Sequence, residues 1–169
     1  MIKSLYRLLL GLYLLILIWL IIFKLTFNIS KIINLHHRSL NLIPFAAPSM
    51  IHGRINYNEM IFNFAFFIPF GLLLNVNFKQ IGFWNKLTSI MLFSISCELI
   101  QYIFAIGATD ITDVITNTTG GLFGLLLYKL GNKYLKDEKL DRIIFFIGTF
   151  LVIIFLSMHF SHLLQRYKR

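Results

Sequence analysis

The sequence predicts an all-α fold, a polytopic bundle of about five transmembrane helices, and two observations lead to this class. Hydrophobic residues make up 57% of the 169 residues and charged residues only 14%, with a mean hydropathy of +0.75. Soluble domains carry about 25% charged residues, so this composition excludes a water-soluble globule and a disordered chain. The apolar residues also form five runs, each near the roughly 20 residues that cross a bilayer.

The apolar runs give the approximate bounds of the five spans. The first begins at Leu8 and extends to about Ile29, because the long side chain of Lys24 can reach the headgroups while its stem stays in lipid. No small-residue cleavage site follows this run, which indicates an uncleaved helix rather than a signal peptide. The remaining spans are predicted at 60–78, 87–106, 114–130 and 143–165, with a charged loop at 129–142.

Two spans carry residues that affect helix shape and packing. Pro69 removes a backbone hydrogen bond from the second span, so we expect a kink there. Gly120 and Gly124 lie four residues apart in the fourth span. They predict a small-residue face on which another helix can approach closely.

The positive charge lies where lipid headgroups would be. The chain has 16 Lys and Arg against 7 Asp and Glu, a formal net charge of +9, and the basic residues flank the apolar runs. This pattern favours contact with anionic lipids and argues against nucleic-acid binding, because no soluble fold carries a basic face. Nine of the 16 fall on the face that holds the N-terminus and seven on the other, which favours a cytoplasmic N-terminus, whereas the basic tail at 166–169 favours the opposite orientation.

Polar residues of three spans and one loop are predicted to meet at one membrane face. The segments 28–59 and 107–113 are separated by two spans, so both lie on the same face. Glu98 lies in the half of the third span that ends there, and an acid inside a span costs about 2.5–3.5 kcal/mol, which marks it as a functional candidate. The residues expected to converge are Arg38, Glu59, Asn63, Glu98, Gln101, Asp110, Asp113 and Asn117.

These residues also have structural explanations, which the sequence leaves open. Asp110 and Asp113 lie at the start of the fourth span, where aspartate commonly caps a helix, and they are only weak candidates for a metal site. Glu98 is either a candidate catalytic base or one half of a hydrogen-bonded lock between helices. His159 and His162 share a helix face but have no acid or cysteine near them in sequence, which favours packing over metal binding.

Four stretches of the chain resemble motifs of the VanZ-like family of membrane proteins. They lie in the family's order and cover most of the middle of the chain. The stretches are 38–45, 63–74, 98–101 and 110–121, which resemble the patterns R-x-x-N-L-I-P-F, N-x-x-x-F-x-P-F-G-x-L-L, E-x-x-Q and D-I-x-D-x-x-x-N-T-x-G-G. Two departures occur: Thr112 stands where many members have aspartate, and Asn75 stands where many have proline.

The resemblance implies a function and a set of binding residues. The family is named for a membrane protein associated with resistance to teicoplanin, a lipoglycopeptide that targets cell-wall precursors. A multi-pass protein of the bacterial plasma membrane is therefore implied, with membrane lipids or lipid-linked cell-wall precursors as partners. The implied binding residues are Arg38, Asn41, Asn63, Glu98, Gln101, Asp110, Asp113 and Asn117.

Three functions remain open on the sequence. The first is an accessory protein that binds a lipid or glycan headgroup and so changes antibiotic access. The second is an intramembrane enzyme in which Glu98 is a general base and Asp110 and Asp113 hold a divalent ion. The third is a small transporter or flippase, which would require an oligomer.

The remaining expectations concern the chain as a whole. We expect a single membrane domain over residues 1–169, with the VanZ-like motif region at 38–128. The chain has a single cysteine, Cys97, which excludes an internal disulfide, and neither a cofactor nor a metal is expected.

Overall fold

The computed structural model describes residues 2–22, 39–45, 50–51, 54–55, 57–106 and 108–167. The described residues form five helices and four very short strands, which confirms the all-α fold class. The helices are α1 Ile2–Ile22, α2 Asn58–Asn77, α3 Phe83–Phe104, α4 Ile111–Tyr134 and α5 Asp137–Tyr167. The strands are β1 Ser39–Asn41, β2 Met50–Ile51, β3 Arg54–Ile55 and β4 Ala108–Asp110.

Four of the five described helices, α1, α2, α3 and α5, are long and apolar enough to cross a membrane. Helix α4 is also long, at 24 residues, but its first three turns are rich in threonine and other polar residues. Thr112, Asp113, Thr116 and Asn117 are buried in the bundle, whereas the second half of α4 exposes apolar side chains such as Phe123. The chain is therefore a membrane protein, and the polar face of its most polar helix is directed into the bundle.

The helix bounds differ from the predicted spans at several ends. Helix α1 begins at Ile2, before the predicted Leu8, and residues 23–29 of the predicted first span lie outside the described residues. The predicted loop at 129–142 is wrong, because α4 continues to Tyr134 and α5 begins at Asp137. Apart from Asp141, the charged side chains there are exposed, and a helix end that projects from the bilayer can carry them in water.

Helices α2 and α4 run parallel and pack with their backbones in close contact. A Cβ atom added at Gly120 would clash with the backbone carbonyl of Phe64, and one added at Gly124 would clash with that of Ile68. On the other helix, a Cβ at Gly71 would clash with the carbonyl of Gly121. The small-residue face predicted at Gly120 and Gly124 is therefore confirmed, and α2 continues without interruption across Pro69.

The core lies between all five helices, and α5 contributes Ile144 and Val152 to it. Leu17, Phe67 and Ile90 are fully buried, and the single cysteine, Cys97, is only 2% exposed. The hydroxyl of Tyr13 donates a hydrogen bond of 2.8 Å to the carbonyl of Phe66, which ties α1 to α2. This contact fixes the first helix against the central pair.

The two ends of the bundle differ in the segments they carry. We call one the strand end, where α1 and α3 end, α2 and α4 begin, and β1 and β4 lie. We call the other the turn end, where α2 and α3 are joined by residues 78–82 and α4 and α5 by residues 135–136. The predicted site residues belong to the strand end.

Candidate functional site

A parallel pair of strands joins the two segments at the strand end. Strand β1 pairs with β4, and the register places Asn41 opposite Asp110. The side-chain amide of Asn41 donates a hydrogen bond of 3.0 Å to Oδ2 of Asp110. Two segments that are 69 residues apart in the chain therefore meet at this end of the bundle.

Asp110 caps the first turn of α4. Its backbone is extended, and its Oδ1 accepts a hydrogen bond of 2.7 Å from the backbone N–H of Thr112. The positive end of the helix dipole lies beside this carboxylate and the following Asp113 in the first turn. Because its second oxygen accepts from Asn41, Asp110 holds together a strand pair and a helix start.

Glu98 is buried directly behind this strand pair. Its side chain is in α3, only 3% of the residue is exposed, and its Oε2 accepts a hydrogen bond of 3.1 Å from the backbone N–H of Asp110. The hydroxyl of Thr109 donates to the backbone carbonyl of Glu98 at 3.2 Å. The end of α3 is thus fastened to β4 through both the side chain and the backbone of Glu98.

Gln101 and Asn117 are completely buried and connect helices. Nε2 of Gln101 donates to the carbonyl of Ile21 at 3.1 Å, and Nδ2 of Asn117 donates to Oγ of Ser94 at 2.9 Å. Within the described part of the chain, neither Oε1 of Gln101 nor Oδ1 of Asn117 has a hydrogen-bond partner. Two buried acceptor oxygens of the cluster are therefore unsatisfied among the described residues.

Helices α3 and α4 are antiparallel, and their register brings the acids to one level. Asn117 bonds Ser94, and residues four apart share a helix face. Asp113 lies four residues before Asn117 on α4, and Glu98 lies four residues after Ser94 on α3. Because the two helices are antiparallel, these two acids lie at the same level of the bundle. Asp113 is 5% exposed. Glu98 and Asp113 consequently form a buried polar layer next to the half-exposed Asn41 and Asp110.

The other predicted residues lie around this layer or outside the described part. Asn63 is half-buried in the second turn of α2, next to Phe64, whose carbonyl faces Gly120. Glu59 is in the first turn of α2. Arg38 lies outside the described residues. The binding role of these positions stays a prediction.

An apolar loop lies over the strand end. The residues after β1 are strongly exposed, and the backbone N–H of Phe45 donates to Oγ1 of Thr112 at 3.0 Å, while Oδ1 of Asn41 accepts from the N–H of Ile43 at 3.2 Å. Phe45 has a positive φ of 59°. The exposed apolar side chains are Leu40, Leu42, Ile43 and Phe45. An apolar rim beside a polar layer suits a ligand with both an apolar and a polar part.

Sequence reasoning missed three residues of this arrangement. Thr109, Thr112 and Ser94 each make a hydrogen bond to a predicted residue or to the loop. The signal for two of them was present in the run of threonine and aspartate just before α4, because such residues bond backbone groups at helix starts. Ser94 carries no such signal, since a serine inside an apolar helix most often bonds its own helix.

The positions of the histidine and acidic side chains can be compared with the arrangement that a metal site requires. Among the described residues, no group of three or more His, Cys, Asp or Glu side chains lies close enough to hold a metal ion. His159 lies on α5 with its ring 5.4 Å from that of Trp19, and the side chain of His162 lies outside the described part. The carboxylates and amide oxygens near α4 are instead acceptors that suit hydrogen-bond donors.

A second polar group, which the sequence analysis did not identify, lies at the turn end. Nζ of Lys79 is 2.6 Å from Oδ2 of Asp141 and 3.1 Å from Oδ2 of Asp137, and the hydroxyl of Tyr128 donates to Oδ1 of Asp141 at 2.7 Å. Burial lowers the pKa of Lys79, but its hydrogen bonds to Asp141 and Asp137 outweigh burial and raise the pKa above its ordinary value. Lys79 is therefore a charged clamp between the α2–α3 turn and α5.

Asn75, one of the two departures from the family pattern, connects three helices near the same end. Its Nδ2 donates to the carbonyl of Leu125 at 3.3 Å, and its Oδ1 accepts from Nζ of Lys86 at 2.7 Å. Proline has no side-chain donor or acceptor, so a protein with proline at this position cannot form these two hydrogen bonds. Lys86 is only 6% exposed, and Asn75 gives its buried ammonium a partner.

Comparison with known proteins gives a family match and a close relative. The profile of the VanZ/LLP1 family matches residues 10–132, a stretch that contains the motif region 38–128. The chain is 54% identical over 165 residues to Protein VanZ of Enterococcus faecium, with 98% of each chain covered. No solved structure matches the chain.

Proposed function

The chain belongs to the VanZ/LLP1 family, and from this premise we propose that it is an accessory protein that lowers susceptibility to teicoplanin. It acts at the strand end, in the bacterial plasma membrane, by binding the headgroup of a cell-envelope lipid or of a lipid-linked cell-wall precursor. Occupation of that headgroup changes the access of the antibiotic to its target.

The observation that carries this proposal is the acceptor-rich layer under an apolar rim. Glu98 and Asp113 are 3% and 5% exposed, and the buried oxygens of Gln101 and Asn117 have no partner within the described residues. The two unsatisfied amide oxygens fit a ligand with hydroxyl or ammonium donors, as in a sugar or an amine-bearing headgroup. The rim formed by residues 40–45 is apolar and adds a surface for the lipid part of such a ligand.

The geometry of Glu98 favours binding over catalysis. Its carboxylate is buried and bonded to the backbone N–H of Asp110, so its first role is to position β4 and the start of α4. Asn41 and Asp110 are the more exposed polar groups, and a ligand that arrives from the membrane surface meets them first. The enzyme hypothesis requires Glu98 to contact the reacting atoms of a substrate. The binding hypothesis requires it only to support Asn41 and Asp110, which contact the ligand.

The test is antibiotic susceptibility in a sensitive host that expresses the chain. We expect a higher inhibitory concentration for teicoplanin than in cells with empty vector, and a smaller change for vancomycin. Asn41→Ala removes the donor to Asp110 and should return teicoplanin susceptibility towards the vector value. Ser89→Ala is the matched control, because Ser89 is exposed on α3 far from the strand end and bonds only its own helix.

Protein level in the membrane fraction must be equal for all variants. An unchanged teicoplanin value with the protein confirmed in the membrane would remove the proposal. Equal loss of resistance in Asn41→Ala and Ser89→Ala would show that the strand end has no special part in it.

A further inference from the structure

The turn end carries a cleft that none of the motifs uses. It has a volume of about 510 Å³ and opens between the start of α1, the end of α2, the α2–α3 turn and the start of α5. Most of the residues that line it are polar or charged. The charged ones are Lys3, Arg7, Lys79, Glu138 and Asp141, and Tyr6 lies between Lys3 and Arg7 on α1.

The cations on the α1 side of the cleft are available to a ligand. Lys3 and Arg7 are four residues apart on α1 and so lie on one face of the helix. Both are exposed, and among the described residues neither has an ion-pair partner. Lys79 differs, because Asp137 and Asp141 already compensate its charge.

The remaining acid on the opposite wall sets the charge of the cleft. Glu138 is exposed in the first turn of α5 and faces the same space. Two available cations and one acid leave a net positive charge, which attracts an anion. Arginine and lysine together suit a phosphate, since the guanidinium binds two oxygens and the ammonium a third.

The surroundings of the cleft place it at a membrane boundary. The rings of Tyr6 and Phe145 lie 5.3 Å apart and hold α1 against α5 at this level. Beyond them, towards the bundle centre, Leu8 is 59% exposed on α1 and Phe146 is 69% exposed on α5. At the same end Trp84 is 74% exposed in the first turn of α3, as expected for an aromatic side chain at the headgroup level.

We propose that this cleft binds the phosphate of an anionic phospholipid through Lys3 and Arg7, with the acyl chains along the exposed apolar faces of α1 and α5. A free phosphate offers the same charge but nothing to the apolar walls, so the lipid is the favoured source. Glu138 opposes the anion and limits the affinity. The site is independent of the strand end and of the function proposed for it.

The experiment uses the purified full chain in detergent, titrated with short-chain phosphatidylglycerol and followed by native mass spectrometry. Short-chain phosphatidylcholine and inorganic phosphate are run in parallel. The double variant Lys3→Gln, Arg7→Gln should bind phosphatidylglycerol about tenfold more weakly, as expected for the loss of charge-assisted hydrogen bonds. Glu138→Gln should bind it several-fold more tightly.

The matched control is Lys129→Gln, Lys133→Gln, which removes two exposed charges from the same end but outside the cleft. Its affinity should equal that of the wild-type chain, and all variants should melt at the wild-type temperature without lipid. Equal weakening in the control and the cleft variant would overturn the proposal, as would equal affinity for phosphatidylcholine. Inorganic phosphate that displaces the lipid at equal concentration would overturn the lipid assignment.

Discussion

The two ends of this bundle satisfy their polar groups with different kinds of contact. At the strand end, Glu98 and Asp110 accept hydrogen bonds from backbone N–H groups and from the amide of Asn41, and α2 meets α4 backbone to backbone. At the turn end, Lys79, Asp141 and Tyr128 bond one another through side chains. Backbone groups therefore take part in several of the contacts at the strand end, whereas the contacts of Lys79, Asp141 and Tyr128 at the turn end join side chains only.

This difference predicts where substitutions are tolerated. A side chain can turn aside when a neighbour changes, whereas a backbone group moves only with its whole helix. We therefore expect conservative changes to be costly at the strand end and mild at the turn end. Substitutions at matched positions of the two ends test that contrast.

The glycines of α4 give the largest contrast. In Gly120→Ala the new Cβ meets the backbone of Phe64 and must push α2 away, whereas in Gly131→Ala it meets side-chain methyl groups of Leu140 at 3.0–3.1 Å. We expect Gly120→Ala to lower the free energy of unfolding by about 3 kcal/mol, the upper part of the range for overpacking. Gly131→Ala should cost about 1 kcal/mol or less. Titration with SDS of the detergent-solubilised protein measures both values.

Gly11→Ala is the control for the glycine series, because nothing lies within 4 Å of a Cβ at that position. It should be neutral or slightly stabilising, since alanine favours a helix by up to about 1 kcal/mol over glycine. Equal losses at positions 120 and 131 would contradict the backbone-against-side-chain distinction.

The next contrast concerns the backbone hydrogen bond of Glu98. Glu98→Ala leaves the N–H of Asp110 without its buried acceptor, and we expect a loss of about 2 kcal/mol in unfolding free energy. Glu98→Gln keeps an acceptor oxygen in the same place and should lose less than half as much. If the glutamine variant is as unstable as the alanine variant, the negative charge rather than the hydrogen bond holds this end.

At the turn end, the same test on Asp141 should give a smaller effect. Asp141→Ala removes the partner of Tyr128 and one of the two partners of Lys79, and we expect a loss of about 1 kcal/mol because Lys79 keeps Asp137 and is 42% exposed. Asp141→Asn keeps an acceptor for Tyr128, so its free energy of unfolding should lie between those of the wild-type chain and Asp141→Ala. A loss larger than that of Glu98→Ala would reverse the order of the two ends.

The smallest expected effect is a dependence on alkaline pH that arises from Lys79. Its folded pKa is raised above the ordinary value of 10.5, so folding favours the protonated form. The stabilisation is complete below pH 10.5 and is lost as the pH rises through the folded pKa. The melting temperature should therefore fall more steeply above pH 10.5 in the wild-type chain than in Lys79→Met. Parallel curves would show that the clamp does not contribute to stability.

The sequence predicts the spans well because lipid exposure requires long apolar runs, as in α1 and α5. It also predicts the glycine face of α4, because four-residue spacing of small residues has one main use in membrane helices. The strand pair of β1 and β4 was not predictable, because strands of three residues have no periodicity. The prediction of a loop at 129–142 was wrong because charged residues do not end a helix that extends into water.

The polar residues of the strand end are easier to identify from the sequence than those of the turn end. Glu98, Asp110 and Asp113 attract notice because acids are rare near spans, and the resemblance to a family names them. Lys79 and Asp141 are ordinary charged residues in a chain with many of them, and only the fold places one against the other. Asn75 was visible as a departure from the family pattern, but its contacts with Lys86 and Leu125 come from the packing of three helices.

The burial of Cys97 has a practical consequence for topology mapping. Because the single thiol is 2% exposed inside α3, a water-soluble maleimide should leave the wild-type chain unlabelled. A cysteine introduced at Leu42, which is 66% exposed, then reports the compartment of the strand end, and one at the exposed Lys136 reports the compartment of the turn end. No background substitution is needed, so labelling of intact cells assigns each end directly.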